Sequence, residues 1–152
     1  MRNYPDRFVR YSSRFVLFPL SFLAAVGCAT TAGPSGPVPD LGGTRWTIVG
    51  IDGTTPDRGA EPLSVEFGVD GRVSGNSGCN SFSGPYIRDE DTLRIGELLS
   101  TRRACVDTGR QRQESSILGI LQGDTKLRRE RDDRISLRNG DGALILVPRG
   151  YE

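Results

Sequence analysis

From Thr44 to Ile51 apolar and polar positions alternate, with Trp46 and Ile48 on one face and Gly53 close behind. A period of two puts successive side chains on opposite faces of a strand, so this segment predicts a first β-strand with one buried face. Leu63, Val65 and Phe67 repeat the period, and Asp70-Gly71 is a hairpin signal ahead of Arg72-Val73-Ser74. After a bend at Gly75–Asn80, Phe82 to Tyr86 returns to strand-forming residues, and Leu93 alternates with Ile95. Leu98 to Ala104 reads as extended. Leu127, Ile135, Leu137 and the run Ala143–Val147, separated by turns at Asp132-Asp133 and Asn139-Gly140-Asp141-Gly142, predict a closing meander.

One segment departs from period two. Thr108 and Gln111 have capping-box spacing ahead of Ile117, Leu118 and Leu121, and Gly123 supplies a stop, which predicts a single helix. Gly119 inside it costs about 1 kcal/mol against alanine, so the helix depends on packing its apolar stripe against the sheet. The expected fold class is therefore mainly β with one α-helix (α+β), an antiparallel sheet curled toward a barrel.

The amino-terminal pattern is different again. Residues 1–27 carry Arg2, Arg7, Arg10 and Arg14 against Asp6, then an uncharged run from Phe15 to Val26. That run is too short for a transmembrane helix, which needs roughly 20 apolar residues, and Pro19 interrupts it. It has the form of an export signal. Ala24-Ala25-Val26-Gly27-Cys28 resembles a bacterial lipobox, in which the cysteine is acylated and becomes the first mature residue. Ala25 stands where such motifs favour leucine, which leaves cleavage by an ordinary signal peptidase nearby as the alternative. Residues 28–40 are rich in Gly and Pro and read as a lipidated tether, with one domain over 41–152.

The whole chain is formally +1, and residues 1–27 hold four arginines against one aspartate, so the remainder is close to −2. This balance argues against a nucleic-acid partner. The basic stretch Lys126–Arg131 is interrupted by Glu130, followed by Asp132 and Asp133, and lacks interleaved aromatics, as expected for a solvated strand face. Histidine is absent, which removes the commonest general base and transition-metal ligand, so neither a metal nor another cofactor is expected. A hydrolase would have to use Ser77, Ser81 or Thr101 with Glu114 or Asp107, without histidine or a Ser-x-x-Lys pair.

Three cysteines are present. Once Cys28 is assigned to lipid, Cys79 and Cys105 remain as an expected disulfide across 26 positions, worth roughly 3.5 kcal/mol in the chain-entropy model. Around Cys79 the sequence becomes distinctive. Leu41, Gly43, Thr44, Trp46 and Ile48, then Phe67, Asp70–Gly75, Gly78-Cys79-Asn80, Phe82, Gly84 and Tyr86 form two ordered blocks. Ser100-Thr101-Arg102 with Ala104-Cys105, and the helix residues Glu114, Ile117, Leu118 and Leu121, follow in order. In these blocks the chain resembles the META domain, the HslJ-like family of bacterial envelope and stress-associated proteins, over nearly the whole mature domain. The resemblance implies a compact strand-rich fold with one helix, similar to a cracked barrel, together with the disulfide. It carries no shared catalytic residues.

The expected function is that of a non-enzymatic lipoprotein anchored in the cell envelope, related to stress or antibiotic tolerance. It would act by binding or stabilising another envelope component, as a monomeric domain held to the membrane through lipid (palmitate) on Cys28. In a cell with two membranes, Ala29 after the cysteine resembles an outer-membrane sorting signal, facing the periplasm. The candidate recognition surface is Asn76, Asn80, Arg102 and Arg103, with Asn76 and Asn80 also readable as turn residues. The alternative is a lipid- or small-molecule-binding barrel whose cavity is lined by Trp46, Phe67, Phe82 and Tyr86.

Overall fold

The computed structural model describes residues 37–59, 61–103 and 106–150. Its strands are β1 (Thr44–Ile51), β2 (Ser64–Phe67), β3 (Arg72–Asn76), β4 (Ser81–Asp89), β5 (Thr92–Ile95) and β6 (Leu99–Ser100). Helix α1 (Thr108–Leu121) follows, then β7 (Gly123–Arg129), β8 (Ile135–Asn139) and β9 (Gly142–Pro148). All pairings are antiparallel, in the order β3-β2-β1-β9-β8-β7-β5-β4, and β4 pairs back onto β3. The sheet therefore closes into an eight-stranded barrel instead of remaining an open curl, and closure removes the exposed edges of those strands.

Period two is realised as the sequence predicts. Trp46, Ile48, Val65, Phe67, Leu93 and Ile95 point inward in one continuous apolar cluster with Leu127, Leu137 and Leu144. The β2 and β3 backbones are held close by glycine. A Cβ on Gly75 would collide with the Ser64 carbonyl oxygen and the Phe82 ring. The turns before β3 and β8 use left-handed backbone at Gly71, Asp132 and Asp133, consistent with the Asp-Gly and Asp-Asp turn readings.

Helix α1 packs on β1, β7, β8 and β9. Its cap differs from the expected Thr108–Gln111 box. Asp107 is the N-cap, and its carboxylate accepts from the backbone N–H groups of Gly109 (2.7 Å) and Arg110 (3.3 Å). A carboxylate at the N-cap satisfies two orphan donors and favours the positive end of the helix dipole, an arrangement a threonine one residue later does not improve. The buried stripe is Ile117, Ile120 and Leu121, with Leu118 only partly buried. That set follows the i, i+3, i+4 spacing of one helix face. At the other end Gly123 takes φ +90°, the Thr125 hydroxyl reaches the Ile120 and Leu121 carbonyls, and Asn139 donates to Gly119 O at 2.9 Å.

The expected tether ends earlier than Asp40. Val38 packs against the core, and Arg88 donates to Pro39 O (2.6 Å) and Val38 O (3.3 Å), which fixes these residues on the barrel. The basic stretch in β7 alternates exposed Lys126 and Arg128 with buried Thr125 and Leu127, and Lys126 pairs with Asp91 at 3.1 Å.

Candidate functional site

Among the described residues β6 is the one strand outside the ring. It continues the line of β5 along β4, with Phe82 opposite Ser100 and Ser83 opposite Leu99. β7 begins at Gly123, opposite Ile95, so it ends its pairing where β5 ends. Beyond that point the wall next to β6 has no strand neighbour among the described residues. Helix α1 borders this gap with Gln111 and Glu114.

The sequence-predicted residues converge here in unequal roles. Asn76 makes a turn: its Oδ1 accepts from Gly78 N at 2.7 Å, and its Nδ2 donates to Glu61 Oε2 at 2.9 Å. Ser77 is fully buried, and both its N–H and its hydroxyl donate to Asn80 O, at 2.9 and 2.8 Å. Asn80 was expected on an exposed surface; it is only 7% exposed and its carboxamide is consumed by the fold. Its Nδ2 donates to Glu114 Oε2 at 3.0 Å, while its Oδ1 accepts from the Thr101 hydroxyl at 3.0 Å and from Arg103 N at 2.7 Å. Glu114 Oε1 in turn accepts from the Ser100 hydroxyl at 3.2 Å, and the Thr101 hydroxyl oxygen accepts from Ser81 N at 3.1 Å. One buried amide thus ties the β3–β4 bend, the segment after β6 and helix α1 together. Polar groups taken out of water need such partners, because each one left unpaired costs about 1–3 kcal/mol.

The same network engages most of the hydroxyl and carboxylate groups named above for a hydrolase. The Ser77 and Thr101 hydroxyls donate to Asn80, Glu114 accepts from Asn80 and Ser100, and Asp107 caps the helix. Ser81 is exposed, its backbone N–H on Thr101.

Arg102 and Arg103 are exposed, and among the described residues neither forms an ion pair. Their backbone is nevertheless fixed, by Thr101 N to Ser81 O at 2.9 Å and Arg103 N to Asn80 Oδ1 at 2.7 Å. They flank a groove of about 510 Å³ lined by Glu97–Arg103 on one side and by Gln111 and Glu114 of the helix on the other. Leu99, on the outer face of β6, is 68% exposed, and Val106 is 98% exposed. Cys79 Sγ lies 3.8 Å from Arg103 O, two residues short of position 105. Cys105 and Cys28 lie outside the described residues.

The aromatics of the carrier reading sit in the barrel wall and core. Phe67 is fully buried, Trp46 and Phe82 are nearly so, and Phe67 meets Tyr86 edge to face at 5.2 Å. Tyr86 donates to Gly68 O at 3.0 Å; burial, reinforced by Asp40 and Asp70, raises its phenol above the ordinary value. Trp46 donates from Nε1 to the Thr44 hydroxyl at 2.7 Å and borders an open cleft of about 470 Å³ with Arg45, Glu66 and Arg149.

A family model for the META domain matches residues 39–150, most of the chain and all of the barrel. The chain belongs to the META-domain family. The META barrel is similar to two NMR structures. One is 21% identical with a TM-score of 0.60, covering 70% of this chain and 89% of the other. The second, of a protein from Burkholderia xenovorans, is 20% identical with a TM-score of 0.58, covering 95% of this chain and all of the other. At such identities the likeness concerns the fold alone. No curated protein matches the chain.

Proposed function

We propose that this META-domain protein is a non-enzymatic lipoprotein of the cell envelope that contributes to stress or antibiotic tolerance by binding or stabilising another envelope component. Cys28 carries the lipid and residues up to Pro37 form the tether; in a cell with two membranes the domain faces the periplasm from the outer membrane. A diacylated and N-acylated cysteine holds far more firmly than a single chain would. Cys79 and Cys105 form a disulfide, a reading supported by the approach of Cys79 Sγ to Arg103 O.

The observation that carries the binding reading is the Asn80 bond to Arg103 N. It fixes the backbone that presents two exposed, unpaired guanidinium groups beside a groove. A surface held rigid before contact loses little entropy on binding. The test places a photoreactive residue at Arg102 in intact cells, with a second at Asp132 as control. A discrete protein adduct from position 102 and not from 132 is expected; equal labelling at both, or none, would refute the reading. Mass spectrometry of the mature amino terminus checks the anchor, with an acylated Cys28 expected and an unmodified peptide starting elsewhere contradicting it.

The second reading, a small-molecule carrier, is favoured by one feature, the open cleft bordered by Trp46, Arg45 and Arg149.

A further inference from the structure

β6 combines three properties. One of its edges is free, an apolar side chain projects from its outer face, and unpaired charge flanks it. Thr101 N bonds Ser81 O at 2.9 Å, so in an antiparallel ladder the backbone groups of Leu99 and Thr101 face β4. By the same alternation the N–H and C=O of Ser100 face the opposite edge, where no strand of the described residues lies. The Ser100 hydroxyl points to Glu114, so the helix forms the far wall of the groove without pairing with the β6 backbone.

We infer that the free edge of β6 is a β-augmentation site, which takes an extended peptide segment of a partner protein as an added antiparallel strand. This inference rests on the binding reading above and specifies its mode. Main-chain hydrogen bonds to such an edge supply affinity, and side-chain contacts supply selectivity. Here Leu99 offers the apolar contact. The charges give polarity: Arg102 and Arg103 stand at one end of the groove and Glu97 at the other. An antiparallel strand runs from the arginine end to the glutamate end. The occupant is therefore a segment with an acidic residue toward its amino-terminal side, β-branched or other apolar residues between, and a basic residue toward its carboxyl-terminal side. With β6 only two residues long, the site is short, and the affinity expected of it is modest.

The test uses the full chain in detergent and short peptides, acetylated and amidated, of the order acidic, β-branched, basic, together with the same peptides in reversed charge order. Binding is read by titration, and the contact by amide hydrogen exchange at Ser100. The acidic-first peptides are expected to bind more tightly and to slow exchange at Ser100. Ser100→Pro removes the outward N–H and is expected to weaken binding about tenfold. Ser100→Ala, which keeps the backbone N–H and loses the hydroxyl bonds to Glu114 and to Thr101 O, is expected to bind within about threefold of the parent. The inference falls if Ser100 exchange is unchanged by bound peptide, if both charge orders bind alike, or if no peptide binds. Should Ser100→Pro fail to fold, exchange at Ser100 in the unaltered chain decides alone. An adduct from Arg102 in cells alongside unchanged exchange at Ser100 would leave the binding reading standing and remove only this mode.

Discussion

Asn80 donates from Nδ2 to Glu114 Oε2 at 3.0 Å, joining the β3–β4 bend to helix α1 across 34 positions of sequence. The geometry requires an amide at position 80, because the same side chain must donate to a carboxylate while accepting from Thr101 and Arg103 N. Asn80→Asp keeps the shape but loses the donor and sets a second carboxylate against Glu114. We expect it to destabilise the domain by about 2–4 kcal/mol, at least as much as Glu114→Gln, in urea denaturation. Equal stability of Asn80→Asp and the parent would contradict the requirement for an amide at position 80.

Two glycines should respond in opposite directions to the same substitution. Gly75→Ala forces a Cβ into the Ser64 carbonyl and the Phe82 ring, and a loss of about 3 kcal/mol or more is expected. A Cβ at Gly119 meets only the Asp141 side chain at 3.7–3.9 Å, ordinary contact, so Gly119→Ala should stabilise by about 0.5–1 kcal/mol through helix propensity. Thermal melts of the two variants check both signs.

Much of the barrel wall was legible because a strand's period of two is a local property: Trp46 with Ile48, and Leu63, Val65 and Phe67, declare their inward face without reference to the rest of the chain. Closure was not legible. It depends on β1 pairing with β9 and on β5 pairing with β7 across the helix, and alternation names no partner. The site divides in the same way. Asn76 reads as a turn residue and is one, whereas the burial of Asn80 is decided by Glu114 on a helix that the bend's own sequence cannot anticipate. The cap was misread because Thr108 and Gln111 satisfy a spacing rule, while the adjacent carboxylate of Asp107 reaches two backbone donors. Arg102 and Arg103 were expected at the surface and lie there, one segment along from the buried amide that holds them.

The chain's lysine, Lys126, makes an acid-side prediction. Its ammonium lies 3.1 Å from Asp91 Oδ1, and this hydrogen bond and charge lower the Asp91 carboxyl below its ordinary value of 3.8. A carboxyl whose folded value is depressed adds stability above its unfolded value, and loses it as pH falls through the folded one. Stability should therefore drop more steeply below about pH 4 in the parent than in Lys126→Met. Both side chains are more than half exposed, so the difference should be small and should shrink in high salt. A Lys126→Met acid titration that overlays the parent at low salt would contradict the pairing.

We propose that the working surface lies outside a barrel whose interior is a filled core, and Trp46, the chain's single tryptophan, reports on this directly. At 4% exposure, with its Nε1 on the Thr44 hydroxyl, it belongs to the core cluster, and Trp46→Ala should cost about 3–5 kcal/mol. The deciding measurement is its fluorescence in the folded protein, with added fatty acids and a soluble quencher. A filled core gives blue-shifted emission that neither additive changes; emission that is red-shifted, readily quenched, or displaced by fatty acid would contradict it and favour the carrier.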